Sequence, residues 1–147
     1  MLFMKKFFLF FLIAALTFSS CKPAGPKIMV DTVWGRQSPK TATAGAFYMF
    51  IRNTGLEGDK LVGAKSSACK TVELHESYQT PEGAMGMRRV TGDVIAIPAG
   101  ATVELKVGGL HLMCIDKLQD FSGRSQIELT LTFEKSGEVP LTADIRQ

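Results

Sequence analysis

Short segments in which apolar and polar residues alternate make up most of this sequence. Residues 71–75 and 102–107 alternate strictly, which predicts half-buried strands with one face on a core and one in water. Turn-forming glycine, proline, asparagine and aspartate separate such segments, and residues 118–121 are predicted to form one helical turn. Ten strands are predicted, near residues 28–34, 46–53, 59–66, 70–77, 87–90, 94–97, 101–107, 110–115, 125–134 and 141–145. This spacing indicates an all-β fold, an antiparallel Greek-key β-sandwich.

The beginning of the chain predicts an export signal. Two lysines precede an apolar run of 12 residues, 7–18, whereas about 20 are needed to span a bilayer. Two serines and Cys21 follow, and they resemble a bacterial lipobox, in which cleavage precedes a cysteine that is then acylated. We therefore expect a lipoprotein-type signal peptide at residues 1–20, an acylated Cys21 with a tether at 21–26, and one domain at 27–147. The alternative is an ordinary secretory signal with a chance cysteine.

Either kind of signal predicts a location outside the cytoplasm, in the periplasm or at the cell surface. The chain has 17 basic and 14 acidic residues, a formal charge of +3, and part of that excess lies in the signal. No basic patch of the nucleic-acid-binding type is present, so we expect no nucleic acid partner.

Two further cysteines, Cys69 and Cys114, lie in predicted strands. An oxidising compartment would permit a disulfide between them. Strand parity argues against it, because Cys69 shares the outward parity of His75 while Cys114 shares the inward parity of Leu112. We therefore predict two free thiols.

The candidate chemistry is carried by histidines and methionines. The only two histidines are His75, at the end of an alternating strand, and His111, which shares a strand face with Met113. Met87 follows a turn, and antiparallel pairing can bring these four side chains to one end of the sandwich. Two imidazoles and two thioethers form a soft, neutral ligand set, which favours Cu(I). We predict a copper site of His75, Met87, His111 and Met113, with Met85 as a candidate extra ligand.

Four segments of the chain carry a resemblance to a known family. They are residues 72–76 (VELHE), 85–88 (MGMR), 97–105 (IPAGATVEL) and 108–113 (GGLHLM). Their order and spacing resemble the PCu(A)C family of periplasmic copper chaperones, and residues 129–137 (LTLTFEKSG) fit its final strands. The similarity covers the chain from about Lys27 to Ile145.

The resemblance implies a cupredoxin-like β-sandwich that binds one copper, mainly as Cu(I), at an exposed site. The ligands carried over by position are the same four residues. The implied function is an extracytoplasmic Cu(I) metallochaperone, not an enzyme, that delivers copper to the dinuclear copper centre of cytochrome c oxidase. The expected partners are the copper subunit of that oxidase or another copper carrier, and a membrane reached through the lipid anchor. We expect a monomer, with a copper-bridged dimer as an alternative.

The sequence departs from the family pattern in two places. Many relatives have another methionine close after the first histidine, whereas Glu76-Ser77-Tyr78 offers none here. The interval from Met87 to His111 holds 23 residues, one or two more than the pattern leads us to expect. The extra length falls at residues 91–94, where a turn can absorb it.

Two other functions remain open from the sequence. A lipid-anchored β-sandwich module without metal is the first, since methionines often only fill a core and sandwiches host many functions. An electron-transfer cupredoxin is the second, but it needs a cysteine thiolate beside two histidines, and parity turns Cys114 away from His111. Arg88 and Arg89 beside Met87 are interpreted first as solvated strand-edge charges, with steering of an acidic partner as the alternative.

Overall fold

A computed structural model describes residues 24–147, and the predicted signal peptide and Cys21 lie outside these residues. The described chain forms ten strands and one short 3-10 turn at Thr91–Asp93. Within residues 24–147, no helix has the length and hydrophobicity that crossing a bilayer requires. The strands are β1 (Ile28–Arg36), β2 (Gly45–Asn53), β3 (Asp59–Lys65), β4 (Cys69–Gln79), β5 (Met85–Arg89), β6 (Ile95–Ile97), β7 (Thr102–Leu105), β8 (Leu110–Lys117), β9 (Gln126–Phe133) and β10 (Gly137–Arg146).

Seven of these strands form a ring in the order β4-β8-β2-β1-β10-β9-β3. The pairing of Ala64 with Val72 returns β3 to β4 and closes the ring. Strand β5 extends the sheet from β4, β6 extends it from β3, and β7 pairs with the second half of β2. The predicted all-β sandwich is therefore confirmed, in a barrel-like form.

One pairing differs from the predicted antiparallel arrangement, because β1 and β10 run parallel. Parallel neighbours need a crossover of a dozen or more residues. These two strands are the first and the last of the fold, so nearly the whole domain connects them. Strand β10 also begins earlier than predicted, at Gly137, since it continues directly from the hairpin that pairs Gly137 with Phe133.

The core fills the interior of the ring. Strand β9 shows the expected alternation, with its buried residues at every second position. Residues 118–121 do not form the predicted helical turn, because this loop carries Phe121 into the core, where its ring lies 5.4 Å from that of Phe47. A side chain at Gly45 would collide with the Phe121 ring, so the glycine makes room for it. The largest fully buried residues include Phe47, Phe121, Met49, Ile51, Leu61, Leu105, Leu112, Leu129 and Leu131.

Cys69 and Cys114 form a disulfide with their Cα atoms 5.4 Å apart, so the prediction of two free thiols is wrong. Parity fails at the start of β4, where Lys70 and Thr71 are both exposed although they are consecutive. On the facing strand, Asp116 has a φ of 51°, in the left-handed region that non-glycine residues rarely adopt. This local irregularity lets Cys69 turn inward, beside Cys114.

Asp59 connects β3 to the β9–β10 hairpin. The residue is 4% exposed, and its carboxylate accepts hydrogen bonds from the Lys135 and Ser136 backbone N–H groups, both at 2.9 Å, and from the Ser136 hydroxyl at 2.6 Å. Burial alone would raise the pKa of this carboxyl, but these hydrogen bonds and one from Lys60 outweigh it and hold the pKa below its ordinary value of 3.8. The stabilisation is therefore complete above about pH 3.8 and is lost as the pH falls through the folded-state pKa.

Replacing Asp59 by asparagine should lower the free energy of unfolding by about 2 kcal/mol at neutral pH, because the amide presents only one acceptor oxygen. Urea unfolding at about pH 7 and about pH 2 measures this effect, and the difference from wild type should shrink at the lower pH. Asp31→Asn, which alters an exposed partner of Arg52, is the control and should change little. A difference that stays constant between the two pH values would contradict this role.

Candidate metal centre

Strands β5, β4, β8 and β2 lie side by side and bring the predicted site residues onto one face of the sheet. The β4–β8 register places His75 directly opposite His111 and Glu73 opposite Met113. On the other side of β4, Met87 lies opposite Ser77, two residues from His75. Opposed residues and residues two apart share a face. This face therefore carries all four predicted ligands: His75, Met87, His111 and Met113.

The two imidazole rings lie with their centroids 5.8 Å apart. His111 Nδ1 is 2.9 Å from the Gly109 carbonyl oxygen, so Nδ1 carries the proton and donates it to that oxygen. His75 Nε2 is 2.9 Å from a carboxylate oxygen of Glu73 and donates to it in the same way. In neutral imidazoles these two hydrogen bonds fix opposite tautomers, leaving the lone pairs on His75 Nδ1 and His111 Nε2.

Those two nitrogen atoms are buried. Among the described residues, they are the two buried side-chain polar atoms that lack a hydrogen-bond partner. An unpaired buried polar atom costs about 1–3 kcal/mol, so each such atom in a folded protein calls for an explanation. A soft metal ion bound by the two lone pairs would satisfy both atoms at once. The donor set therefore fits a metal ion.

His111 is 2% exposed, deeper than its outward strand parity suggests, because the Tyr48 ring lies 6.3 Å from it, centroid to centroid. Burial lowers the pKa of His111, the hydrogen bond to Gly109 partly opposes that shift, and the nearby His75 lowers the pKa further. Both effects that lower the pKa disfavour the imidazolium form. His111 is thus held as a neutral imidazole, the form that can donate a lone pair.

The two thioethers line an open cleft of about 240 Å³ beside His111, and His75 is not among the residues that line it. Met113 is half-buried, whereas Met87, on the edge strand β5, is 64% exposed. Both line the cleft together with His111 and Tyr48. Met85 is equally exposed, but it lies two residues before Met87 on β5, opposite Gln79. It is not among the residues that line the cleft.

Harder ligands are scarce around this cleft. Within the described chain, no group of three or more histidine, cysteine, aspartate or glutamate side chains is arranged to hold a metal ion. A metal bound here would therefore need the thioethers in addition to the imidazoles. Cys114 cannot supply a thiolate, because its sulfur is in the disulfide, and this removes the support for an electron-transfer cupredoxin.

The two departures from the family pattern have structural counterparts. Glu76, which follows His75, forms an ion pair with Arg88 at 2.8 Å, and the Arg88 guanidinium also lies 4.9 Å above the Tyr78 ring. The residues after His75 thus contact Arg88 on β5 and do not supply a thioether. The extra residues before β6 form the 3-10 turn, with Gly92 at a φ of 74°, so the predicted turn is confirmed.

The sequence pattern did not identify Glu73 and Tyr48 as parts of the site. Glu73 was recognisable in principle, since it shares strand parity with His75 and lies two residues before it. Tyr48 lies on β2, and its contact with His111 depends on the pairing of β2 with β8, which no local pattern specifies. A carboxylate that accepts the remaining ring N–H of a metal-binding histidine orients the ring and raises its basicity.

Replacing Glu73 by alanine should lower the affinity for Cu(I) by about 10- to 100-fold, the range usual for such supporting carboxylates. The matched control is Glu76→Ala on the same strand, whose carboxylate binds Arg88 and not a histidine. Competition with a chromogenic Cu(I) chelator measures both variants. An equal loss in the two variants would show that charge near β4, and not orientation of His75, sets the affinity.

Comparison with known proteins places these features in a family context. Residues 28–145 match the family described as "LpqE-like: Putative lipoprotein LpqE-like". A curated relative, "Putative lipoprotein Lxx21020" from Leifsonia xyli subsp. xyli (strain CTCB07), is 29% identical over 119 residues, which cover 81% of this chain and 69% of the relative.

Solved structures show the same fold. The copper-bound PCuAC domain from PmoF2 is 28% identical with a TM-score of 0.67, covering 82% of this chain and 92% of that domain. The apo PCuAC domain from PmoF1 is 27% identical with a TM-score of 0.69, covering 82% and 93%. Apo-DR1885 from Deinococcus radiodurans, 22% identical with a TM-score of 0.61 and covering 82% and 78%, shares the fold. The predicted resemblance to PCu(A)C domains is confirmed.

Proposed function

This chain belongs to the LpqE-like family and has the fold of PCuAC domains, and from that premise we propose that it is an extracytoplasmic Cu(I)-binding metallochaperone. The observation that carries the proposal is the pair of buried, unpartnered imidazole nitrogens, His75 Nδ1 and His111 Nε2, on one face with two thioethers. The PCuAC domain from PmoF2 is copper-bound, which supports copper as the metal.

In this proposal, His75, His111, Met113 and Met87 are the ligands. Two neutral imidazoles and two thioethers add no charge, which favours Cu(I) over Cu(II). His111 is buried and His75 is partly buried, and the rings are held by Gly109 and Glu73, so they form a fixed base for the ion. Met87 lies at an exposed edge, where an incoming ligand can replace it. The protein is a carrier and not an enzyme, and one chain carries one ion.

The proposed location is extracytoplasmic and membrane-anchored, supported by the lipoprotein names of the family and of the relative from Leifsonia xyli. Acylation of Cys21 would provide the anchor. The described chain begins beside Asn53, which accepts a hydrogen bond from the Lys27 backbone at 3.0 Å. Asn53 and Gly45 are opposite ends of β2, and a strand of this length spans roughly 25 Å at about 3.3 Å per residue. Gly45 lines the cleft, so the cleft lies at the end of β2 opposite the segment that would lead to the anchor.

The proposed acceptor is the dinuclear copper centre of cytochrome c oxidase. The experiment that tests delivery mixes the Cu(I)-loaded chain with a soluble, copper-free domain carrying that centre, in the absence of oxygen. Transfer predicts that copper moves to the acceptor when the two are mixed and then separated by size. Copper that stays on this chain, while a second copper carrier accepts it, would show that the oxidase is not the direct acceptor.

A further inference from the structure

The ends of β1 and β10 present two arginines that form no ion pair with any residue from 24 to 147. Arg36 and Arg146 are register partners in the parallel pairing of these strands, and both are exposed. The ion pairs formed within residues 24–147 involve neither guanidinium group. Like charges opposite each other on neighbouring strands repel. Their juxtaposition therefore leaves positive charge available to an anionic partner.

Other cations gather at the same end of the fold. Arg124 forms no ion pair with the residues that the structure describes, and it donates its backbone N–H to the carbonyl oxygen of Ile145, the neighbour of Arg146. Lys117 donates to the Ser38 hydroxyl at 2.6 Å and to the Pro39 carbonyl. We call this set the basic rim: Arg36, Lys40, Lys117, Arg124 and Arg146.

Two carboxylates nearby are already engaged. Asp120 lies 3.6 Å from Lys40, and Asp144 accepts a hydrogen bond from the Gln126 side chain at 2.9 Å. Positive charge therefore predominates at the rim.

The arginines beside Met87 differ from the rim in this respect. Arg88 pairs with Glu76 at 2.8 Å, while Arg89 lies 3.1 Å from Asp93 and 3.6 Å from Glu73. Their charge is locally balanced by carboxylates, as expected of solvated strand-edge residues. A partner that is steered by charge would thus be drawn to the basic rim more than to β5.

The basic rim adjoins the candidate metal centre. Arg36 lines the cleft that Met87, His111 and Met113 share, and it also lines a neighbouring cleft of about 580 Å³ that includes Lys40. The two clefts therefore share residues 36–38 in their walls.

Stacked rings connect the other arginine of this pair to the site. The Arg146 guanidinium lies 5.1 Å above the Trp34 ring, and Trp34 packs against Tyr48 with centroids 4.5 Å apart. Tyr48 in turn neighbours His111. Arg146 is therefore linked to His111 through two intervening aromatic rings.

We propose that the basic rim is the docking site for an acidic, extended segment of the protein that exchanges copper with this chain. This inference rests on the proposed function and adds the chemistry of the partner. A segment in the larger cleft, held by Arg36 and reaching Arg146 beside that cleft, would bring the partner's own copper ligands toward the exposed Met87. A protein partner is favoured over anionic lipid, because the rim lies at the end of β2 remote from the entry of the chain at Lys27.

A labelled ten-residue glutamate peptide tests the docking site by fluorescence anisotropy. The purified chain should bind it, more weakly as salt is added, and Arg36→Gln with Arg146→Gln should weaken binding about tenfold. The control, Lys60→Gln with Lys65→Gln, removes the same charge from lysines that pair with Glu134 and Glu138 away from both clefts. It should change binding less than about twofold.

Equal losses in the two double variants, or no binding by the wild type, would overturn the docking site. A preference for lipid would overturn it as well. In that case vesicles of phosphatidylglycerol would bind the wild type but not the rim variant, and the peptide would bind neither protein. Cu(I) titration of the same wild-type preparation distinguishes a failure of the docking site from a failure of the proposed chaperone function. A chain that binds Cu(I) but shows no rim effect refutes the docking site alone, while a chain that binds no Cu(I) refutes the chaperone function.

Discussion

Replacing both Cys69 and Cys114 by alanine should lower the free energy of unfolding by about 4 kcal/mol. The disulfide closes a loop with a sequence separation of 45 residues, and a cross-link of that length removes much of the entropy of the unfolded chain. It also joins β4 to β8, the two strands that carry His75 and His111. A loss of this size is a large fraction of the free energy of unfolding of a typical domain, which is about 5–15 kcal/mol.

Urea unfolding of wild type and double variant, each with and without reductant, measures this contribution. Reductant should bring the wild type down to the stability of the variant and should leave the variant unchanged. Thiol titration under the same conditions shows whether the bond is reduced. A wild type that remains as stable as before, with two titratable thiols, would contradict a stabilising disulfide.

His111→Ala should lower the affinity for Cu(I) by more than about 100-fold, beyond the loss expected for Glu73→Ala, which removes the carboxylate that supports His75. The substitution removes the buried Nε2 and the ring that Gly109 and Tyr48 hold in place. The remaining His75 and thioethers would leave a site with one nitrogen ligand.

The measurement is competition with a chromogenic Cu(I) chelator, after circular dichroism has shown that the variant keeps its β-structure. His75→Ala is the companion variant and should show a loss of the same order, since the two rings are register partners. If either variant keeps an affinity within about threefold of wild type, the imidazole that it lacks is not a ligand.

Strand parity was enough to predict much of this site. Alternation at residues 71–75 placed His75 on the polar face, and the triplet from His111 to Met113 placed two candidate ligands together. The structure brings these residues onto one face because register in a half-buried sheet is fixed by which side chains face the core. That the four residues bind copper stays a prediction.

The disulfide shows where such reasoning fails. Parity holds only while the ladder is regular, and the irregularity at Lys70 and Asp116 reverses the direction of Cys69. Phe121 is a second case, because burying its ring against Phe47 outweighs the local preference for a helical turn. Both features depend on contacts between segments distant in sequence.

The parallel pairing of β1 with β10 and the contact of Tyr48 with His111 depend on such contacts as well. Neither is specified by a pattern within one segment of the chain. The sequence therefore predicted which residues are candidate ligands better than it predicted what surrounds them.

The most direct test of the copper site is an anaerobic Cu(I) titration under mild conditions that keep the disulfide intact. The wild type would be compared with Met87→Ala combined with Met113→Ala, and with Met29→Ala, an exposed methionine on β1 outside the cleft. We expect one tightly bound Cu(I) per chain in the wild type and in the Met29 variant, and its loss in the double variant. No competition by the wild type, or equal competition by the double variant, would contradict a thioether copper site.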